Sequence, residues 1–251
     1  MPIASEDAAA LEAAAGGAEK SRYVRQIFSD IAPRYDLLNH ILSLNIDRVW
    51  RRKAIAMLSV ENDPSGRYLD LCAGTLDVSA ALSRKRGFRG SIVAADFAEP
   101  MLRFGRRKVA GQPVDPIAAD ALALPFAAGS LAGAVVAFGI RNVADLDAGL
   151  REVHRVLAPG ARFVILEFST PRVRMVNAGY QFYFNEILPA VGGLISGHRT
   201  AYRYLPRSVA NFPGQEELAH RMTIAGFENV GWNSLTFGIA AIHTGERSNI
   251  T

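Results

Sequence analysis

Two textures divide the chain. From Arg67 onward, short apolar runs alternate with stretches of helical spacing. The runs are Arg67–Cys72, Ser91–Ala95, Val114–Ala118, Gly133–Gly139 and Arg162–Phe168; Val78–Lys85, Pro100–Val109 and Asp145–Leu157 lie between them. The runs lack polar alternation, so they read as strands of a largely parallel sheet covered on both faces. Pro159–Gly160 punctuates the turn into the fifth strand. Glu216–Ala225 reads as a helix closed by Gly226. Val230–Leu235 and Phe237–His243 are too close together for a crossover helix, so they form an antiparallel hairpin. The expectation is an α/β, Rossmann-like fold with seven strands, six parallel and one antiparallel, and helices on both faces.

Before Arg67 the periodicity is helical. Val24, Phe28, Ile31 and Tyr35 mark an amphipathic helix over Lys20–Arg34 that Pro33 ends or kinks. Leu37, Leu38, Ile41, Leu42 and Leu44 suggest a second short helix. Ile46 to Leu58 suggests a third, with Trp50 and Ile55 facing the core. Residues 21–60 are either a lid over a site or helices that only add core, and composition does not separate the two. Residues 1–20 are rich in Ala and Gly and read as a flexible tail. Residues 171–213 break the strand–helix rhythm with Tyr180, Phe182, Tyr183, Phe184, Tyr202, Tyr204 and Phe212, and read as an insertion on the substrate side. The remainder, 21–251, is expected to be one domain.

Composition narrows the class. In 251 residues, 49% are hydrophobic and 21% charged, which excludes a disordered chain. The single cysteine, Cys72, excludes an internal disulfide framework. No apolar run is long enough to span a bilayer. The balance of 28 basic against 24 acidic residues, a net charge of +4, gives little ground for a nucleic-acid partner. His40, His154, His198, His220 and His243 are scattered without metal-ligand spacing, so no metal is indicated.

The sharpest local signal is LDLCAGTLD, Leu69 to Asp77. A strand ends near Asp70 and Cys72, Ala73–Gly74 turns, and a helix starts near Leu76. A dinucleotide fingerprint needs three glycines to bring a pyrophosphate onto the helix N-terminus. This turn has one glycine and two acids, Asp70 and Asp77, which repel phosphate. A cationic, phosphate-free ligand such as S-adenosylmethionine suits it better; a purely structural turn is the plain alternative. Asp96 and Asp120 fall at the next two strand ends. Asp96 is placed to accept hydrogen bonds from ribose hydroxyls, and Asp120–Ala121 to meet the adenine.

Together these segments resemble the UbiE/MenG family of ubiquinone and menaquinone biosynthesis C-methyltransferases. The resemblance is carried by FSDIAPRYDLLNHILSLNIDRVWRR, LDLCAGTLD, AADFAEPML, DALALPF, FGIRNV, LAPGARFVILEFSTP, AYRYLPRSV and FGIAAIHTG, from residue 28 to 245. It implies a class I methyltransferase fold under an N-terminal helical lid, S-adenosylmethionine as cofactor, and a polyprenylated quinol as acceptor, demethylmenaquinol ahead of the benzoquinol precursor. Asp70, Gly74, Thr75, Asp96, Met101, Asp120 and Ala121 are then the candidate cofactor-binding residues, and Arg141, Asn142 and Tyr35 the candidate catalytic ones. In that role Arg141 stabilises a quinolate and polarises a water, Asn142 holds that arginine or water, and Tyr35 closes the network from the lid. The implied location is the cytoplasm, with peripheral contact at the inner face of the membrane. Arg172, Arg174, Arg199, Arg203 and Arg207 favour that contact, and a homodimer is compatible with it.

The chain departs from the family pattern at Leu76, where the turn normally has its second glycine. A leucine there should narrow the donor site or impose a backbone path without positive φ. Ala137 stands where a serine is common, and Asn45 and Asp47 where glycine and histidine are common. Three rivals follow. They are a methyltransferase-like scaffold that Leu76 has made inactive, an NAD(P)-binding oxidoreductase, and an RNA methyltransferase of the same fold.

Overall fold

The computed structural model describes residues 18–32, 35–36, 43, 45–171, 173–183, 186 and 199–248. Most of the tail, the second short helix with His40, and Arg172, Phe184 and His198 lie outside the described residues. So do the side chains of Arg199, Tyr202 and Arg203.

Among the described residues seven strands form one sheet: β1 (Arg67–Leu71), β2 (Ser91–Asp96), β3 (Val114–Ala118), β4 (Leu131–Ala137), β5 (Leu157–Phe168), β6 (Phe227–Leu235) and β7 (Ala240–Arg247). Their order is β3-β2-β1-β4-β5-β7-β6. Only β7 runs against the rest, pairing antiparallel with both β5 and β6. This is the expected seven-stranded, mostly parallel architecture. Alternate strand residues serve opposite faces. Leu69, Leu71, Ala134, Val136, Phe163 and Ile165 pack under α5 (Leu146–Val156) and α8 (Gln215–Ile224). Tyr68, Ile92, Val135, Val164 and Leu166 pack under α2 (Ile46–Met57) and α3 (Asp77–Ser83). Burying both faces is why the strands read as unbroken apolar runs.

Several boundaries differ from the sequence reading. Pro159–Gly160 does not precede β5. It lies in a bulge: Leu131 pairs with Leu157 and Gly133 with Arg162, so the extra β5 residues loop out between two ladder contacts. The segment Thr236–Gly238, with Phe237 at φ 57, separates β6 from β7, and β7 begins only at Ala240. His243 therefore sits inside β7, paired with Ile165 and Trp232, and is buried. Helix α5 starts where expected because the Asp145 side chain accepts from the Ala148 N–H at 2.9 Å, which caps it.

The N-terminal helices divide. Trp50, Ala54 and Ile55 of α2 are buried in the main core, so α2 covers the sheet. Helix α1 (Ala18–Ile31) instead packs Val24, Ile27 and Ile31 against Tyr180 of α6 (Arg174–Phe182) and Tyr204 and Val209 of α7 (Arg199–Ala210). The N-terminal helix and the insertion thus share a small core of their own. Both departures near α2 have a local reason. Asn45 precedes the helix at φ 62, a conformation that suits glycine and that asparagine tolerates better than most residues. Asp47 accepts from Ser43 at 2.7 Å.

Candidate active site

The strand order reverses between β1 and β4, and in such sheets ligands sit beyond the carboxyl ends at that switch point. A cavity of about 690 Å³ opens there. Its walls include Cys72 and Gly74 after β1, Asp96 and Phe97 at the end of β2, Asp120 and Ala121 after β3, and Gly139 and Asn142 after β4. Met101 of α4 (Glu99–Gly105) forms part of the floor, and Phe28 and Tyr35 stand over it from the N-terminal segment. The switch point depends on Gly139: a Cβ there would lie 2.3 Å from the Cβ of Cys72. Cys72 itself is held at φ 52, and burial, with Asp96 and Asp70 nearby, pushes its thiol well above the usual range. That makes it an inert wall.

Gly74, Asp96, Met101, Asp120, Ala121, Tyr35 and Asn142 therefore come together around one cavity. Asp96 is fixed by two backbone donors: Gly74 N–H at 2.8 Å and Ala98 N–H at 2.8 Å. Burial raises its carboxyl to about 6, partly offset by those bonds. Asp120 Oδ1 accepts from the Leu122 N–H at 3.0 Å.

Three candidates lie elsewhere. Asp70 does not line the cavity. Its carboxylate turns into the core and takes both the N–H and the hydroxyl of Ser79, at 2.9 and 2.6 Å. It thereby ties β1 to α3. Burial raises it to about 7. Thr75 is also buried, and its hydroxyl donates to Asp36 Oδ1 at 2.5 Å. Asp36 in turn meets Lys108 Nζ at 2.6 Å, and Lys108 meets Asp77 at 2.6 Å. The N-terminal segment is thus tied at Asp36 to the glycine turn.

Arg141 is the third. It lies buried behind the cavity wall, paired with Glu167 Oε1 at 2.6 Å through Nη1, which also donates to the Phe138 carbonyl. Nε donates to Ser208 at 3.3 Å, and the guanidinium stacks 5.6 Å from the Phe168 ring centre. Nη2 makes no hydrogen bond among the described residues. Asn142 does not hold Arg141; its Oδ1 accepts from the Tyr204 hydroxyl at 3.1 Å. Arg141 and Tyr204 line a second cavity of about 1030 Å³, which shares Val143 and Ala144 with the first. Glu167 escaped the sequence reading. It is an acid at a strand's carboxyl end, like Asp96, and the same signal extended to β5 finds it. Burial raises its carboxyl, with Arg141 opposing.

Leu76 overturns its expectation. Its φ is 67 and ψ 25, the left-handed conformation of the glycine it replaces. Its side chain is fully buried beside Ala80, Ala94, Leu102 and Val109 and does not line the cavity. The cavity is not narrowed by it.

The model of the ubiE/COQ5 methyltransferase family matches residues 17–247. The chain belongs to that family. It is 47% identical over 233 residues to the ubiquinone/menaquinone biosynthesis C-methyltransferase UbiE of Geobacter sulfurreducens, covering 91% of this chain and 90% of that protein. It is 50% identical over 223 residues to the demethylmenaquinone methyltransferase of Thermus thermophilus, covering 88% and 100%. Among solved structures, a SAM-dependent methyltransferase of Thermotoga maritima superposes with a TM-score of 0.63 at 17% identity, over 89% of this chain and 99% of that one. That likeness supports the fold.

As a member of the family the protein is a methyltransferase, with S-adenosylmethionine as cofactor. The cavity fits that molecule. Its only charged wall residues among those described are the carboxylates Asp96 and Asp120. A sulfonium without phosphate suits such a wall, whereas the pyrophosphate of a nicotinamide dinucleotide would meet two acids and no cation. The oxidoreductase reading is not favoured.

Proposed function

We propose that the protein methylates a ring carbon of a polyprenylated quinol, demethylmenaquinol first and the related benzoquinol second. The observation that carries this reading is the pair of adjoining cavities: one walled by acids, the other by Arg141, with Val143 and Ala144 common to both. The relatives named for menaquinone biosynthesis supply the substrate class.

S-Adenosylmethionine supplies an activated methyl group when bound. Asp96 holds its ribose hydroxyls, Asp120 and Ala121 meet its adenine, and Gly74 and Met101 shape the rest of its seat. A quinol carbon becomes nucleophilic when the neighbouring hydroxyl loses its proton. Arg141 stabilises the resulting oxyanion through its uncommitted Nη2. It cannot act as the base, because guanidinium stays protonated. Glu167 fixes its orientation, and a preset donor needs little reorganisation as charge develops. Asn142 and Tyr204 hold the wall between the cavities, and Tyr35 excludes water above it. The acceptor lives in a bilayer, so the enzyme meets it at the membrane surface, where Arg174 and Arg207 lie near the aromatic insertion. Among the described residues no helix is long and apolar enough to cross a membrane.

The test is calorimetric titration with S-adenosylmethionine, followed by assays with demethylmenaquinol and demethoxy-type benzoquinol analysed by mass spectrometry. A product one methyl heavier is expected, with the naphthoquinol turned over faster. Donor binding with neither quinol methylated would overturn the substrate class. Arg141→Met should lower turnover far more than donor affinity.

A further inference from the structure

Helix α1 buries one face. Val24, Ile27 and Ile31 of that face pack against the insertion. Lys20 stands four residues before Val24, so it belongs to the same side of the helix. A lysine on a buried helix face normally has a carboxylate partner. This one has no ion pair or hydrogen bond among the described residues. Instead it lines the second cavity with Arg141. We infer that Lys20 is a further catalytic residue, whose ammonium group joins Arg141 in holding the ionised hydroxyl oxygen of the acceptor ring in that cavity. This rests on the acceptor reading above.

The surrounding charges support an anion at this point. Among the described residues three cations line the cavity, and no carboxylate does. Arg221 is already engaged, by Glu217 at 2.8 Å and Asp147 at 3.3 Å. Arg141 is matched by a single carboxylate, Glu167, which lies behind it and outside the cavity wall. That leaves Lys20 as the uncompensated charge. Tyr204, on the facing helix, stays neutral, since burial raises its hydroxyl to about 12. Burial, with the positive charge of Arg141, holds the Lys20 amine below its ordinary range. An oxyanion placed between the two cations would reverse that penalty. The same attraction lowers the ionisation point of the acceptor hydroxyl, which makes the ring carbon reactive. Overall one methyl replaces one ring hydrogen, the carbon–sulfur bonding pair stays on sulfur, and one proton passes to water.

The test compares the wild type with Lys20→Met and Lys20→Arg. Both variants should bind S-adenosylmethionine within about two-fold of wild type, which also shows that they fold. A nitronaphthol, whose anion absorbs visible light, is then bound without donor and titrated with base. In Lys20→Met the bound probe should ionise about one pH unit higher than in wild type, a ten-fold change. The rising limb of turnover on demethylmenaquinol should move up with it. Lys20→Arg should restore both. Unchanged probe ionisation and an unchanged pH profile in Lys20→Met, with wild type methylating the quinol, overturn the inference. Wild type that binds donor but methylates no quinol overturns the acceptor reading instead. In that case the probe shift alone decides whether Lys20 holds an anion.

Discussion

The glycine that the family keeps at position 76 invites a reversion, Leu76→Gly. A reading from the motif alone predicts a gain in stability and in donor affinity. The structure predicts otherwise. Leu76 has a left-handed backbone at φ 67, and relief of that strain is worth about 1–2 kcal/mol. Its side chain is fully buried beside Ala80, Ala94, Leu102 and Val109, and truncating a core leucine costs about 2–5 kcal/mol. The cavity term wins, for a net loss of roughly 1–3 kcal/mol. In a chain of this size each kcal/mol lowers Tm by about 2–4 °C. Donor affinity should change less than about two-fold, because Leu76 lies outside the donor cavity. Urea denaturation measures the first quantity and calorimetric titration the second. A Leu76→Gly protein more stable than wild type, or one binding donor ten-fold tighter, would refute the placement of this side chain.

Three further predictions test the polar interior. Asp96→Ala should weaken donor binding about 10- to 150-fold by calorimetry, as expected when a hydrogen bond to a charged group is lost at roughly 1.5–3 kcal/mol. Glu167→Gln leaves Arg141 buried without a counterion and should cost about 3–5 kcal/mol in denaturation. Asp70→Asn should flatten the dependence of stability on pH. The folded carboxyl keeps its proton to about 7 while the unfolded one releases it near 3.8, so the native state binds more protons in that window and stability falls as pH rises through it. Removing the group removes a slope of up to about 1.4 kcal/mol per pH unit, read from urea midpoints between pH 4 and 7.

The sheet was legible because β1, β2 and β4 are buried on both faces, which leaves a continuous apolar signature and places an acid or a glycine at each carboxyl end. The bulge at Pro159–Gly160 was not, because a turn signal in sequence reads the same whether it precedes a strand or interrupts one. The cavity at the switch point was legible at Gly74, Asp96, Met101, Asp120 and Ala121, where the backbone position alone brings a residue to its wall. Asp70 and Thr75 do not line it, for the opposite reason. Their positions are right, but Ser79 and Asp36 draw their side chains away, and those partners lie on other elements. Leu76 failed in the same way, since a motif fixes where the chain turns and not which core receives the Cβ. Lys20 escaped notice at the junction of tail and helix, where a lysine usually faces water.

These placements bear on why the protein separates its charges. A methyl donor of this class carries a positive charge that the transfer removes, and its acceptor must become negative before it reacts. One undivided pocket would have to favour both, and a carboxylate near the acceptor oxygen would oppose its ionisation. Here the acids Asp96 and Asp120 wall one cavity and the cations Arg141 and Lys20 the other. The shared boundary at Val143 and Ala144 offers no charge of its own. Glu167 would break the division, but it lies outside both walls, spent on Arg141. Placing a carboxylate on that boundary, as in Ala144→Asp, should therefore harm acceptor ionisation more than donor binding. In the nitronaphthol titration the bound probe should ionise at higher pH while S-adenosylmethionine affinity holds or rises. Equal losses in both would mean that the two cavities do not act as separate electrostatic compartments.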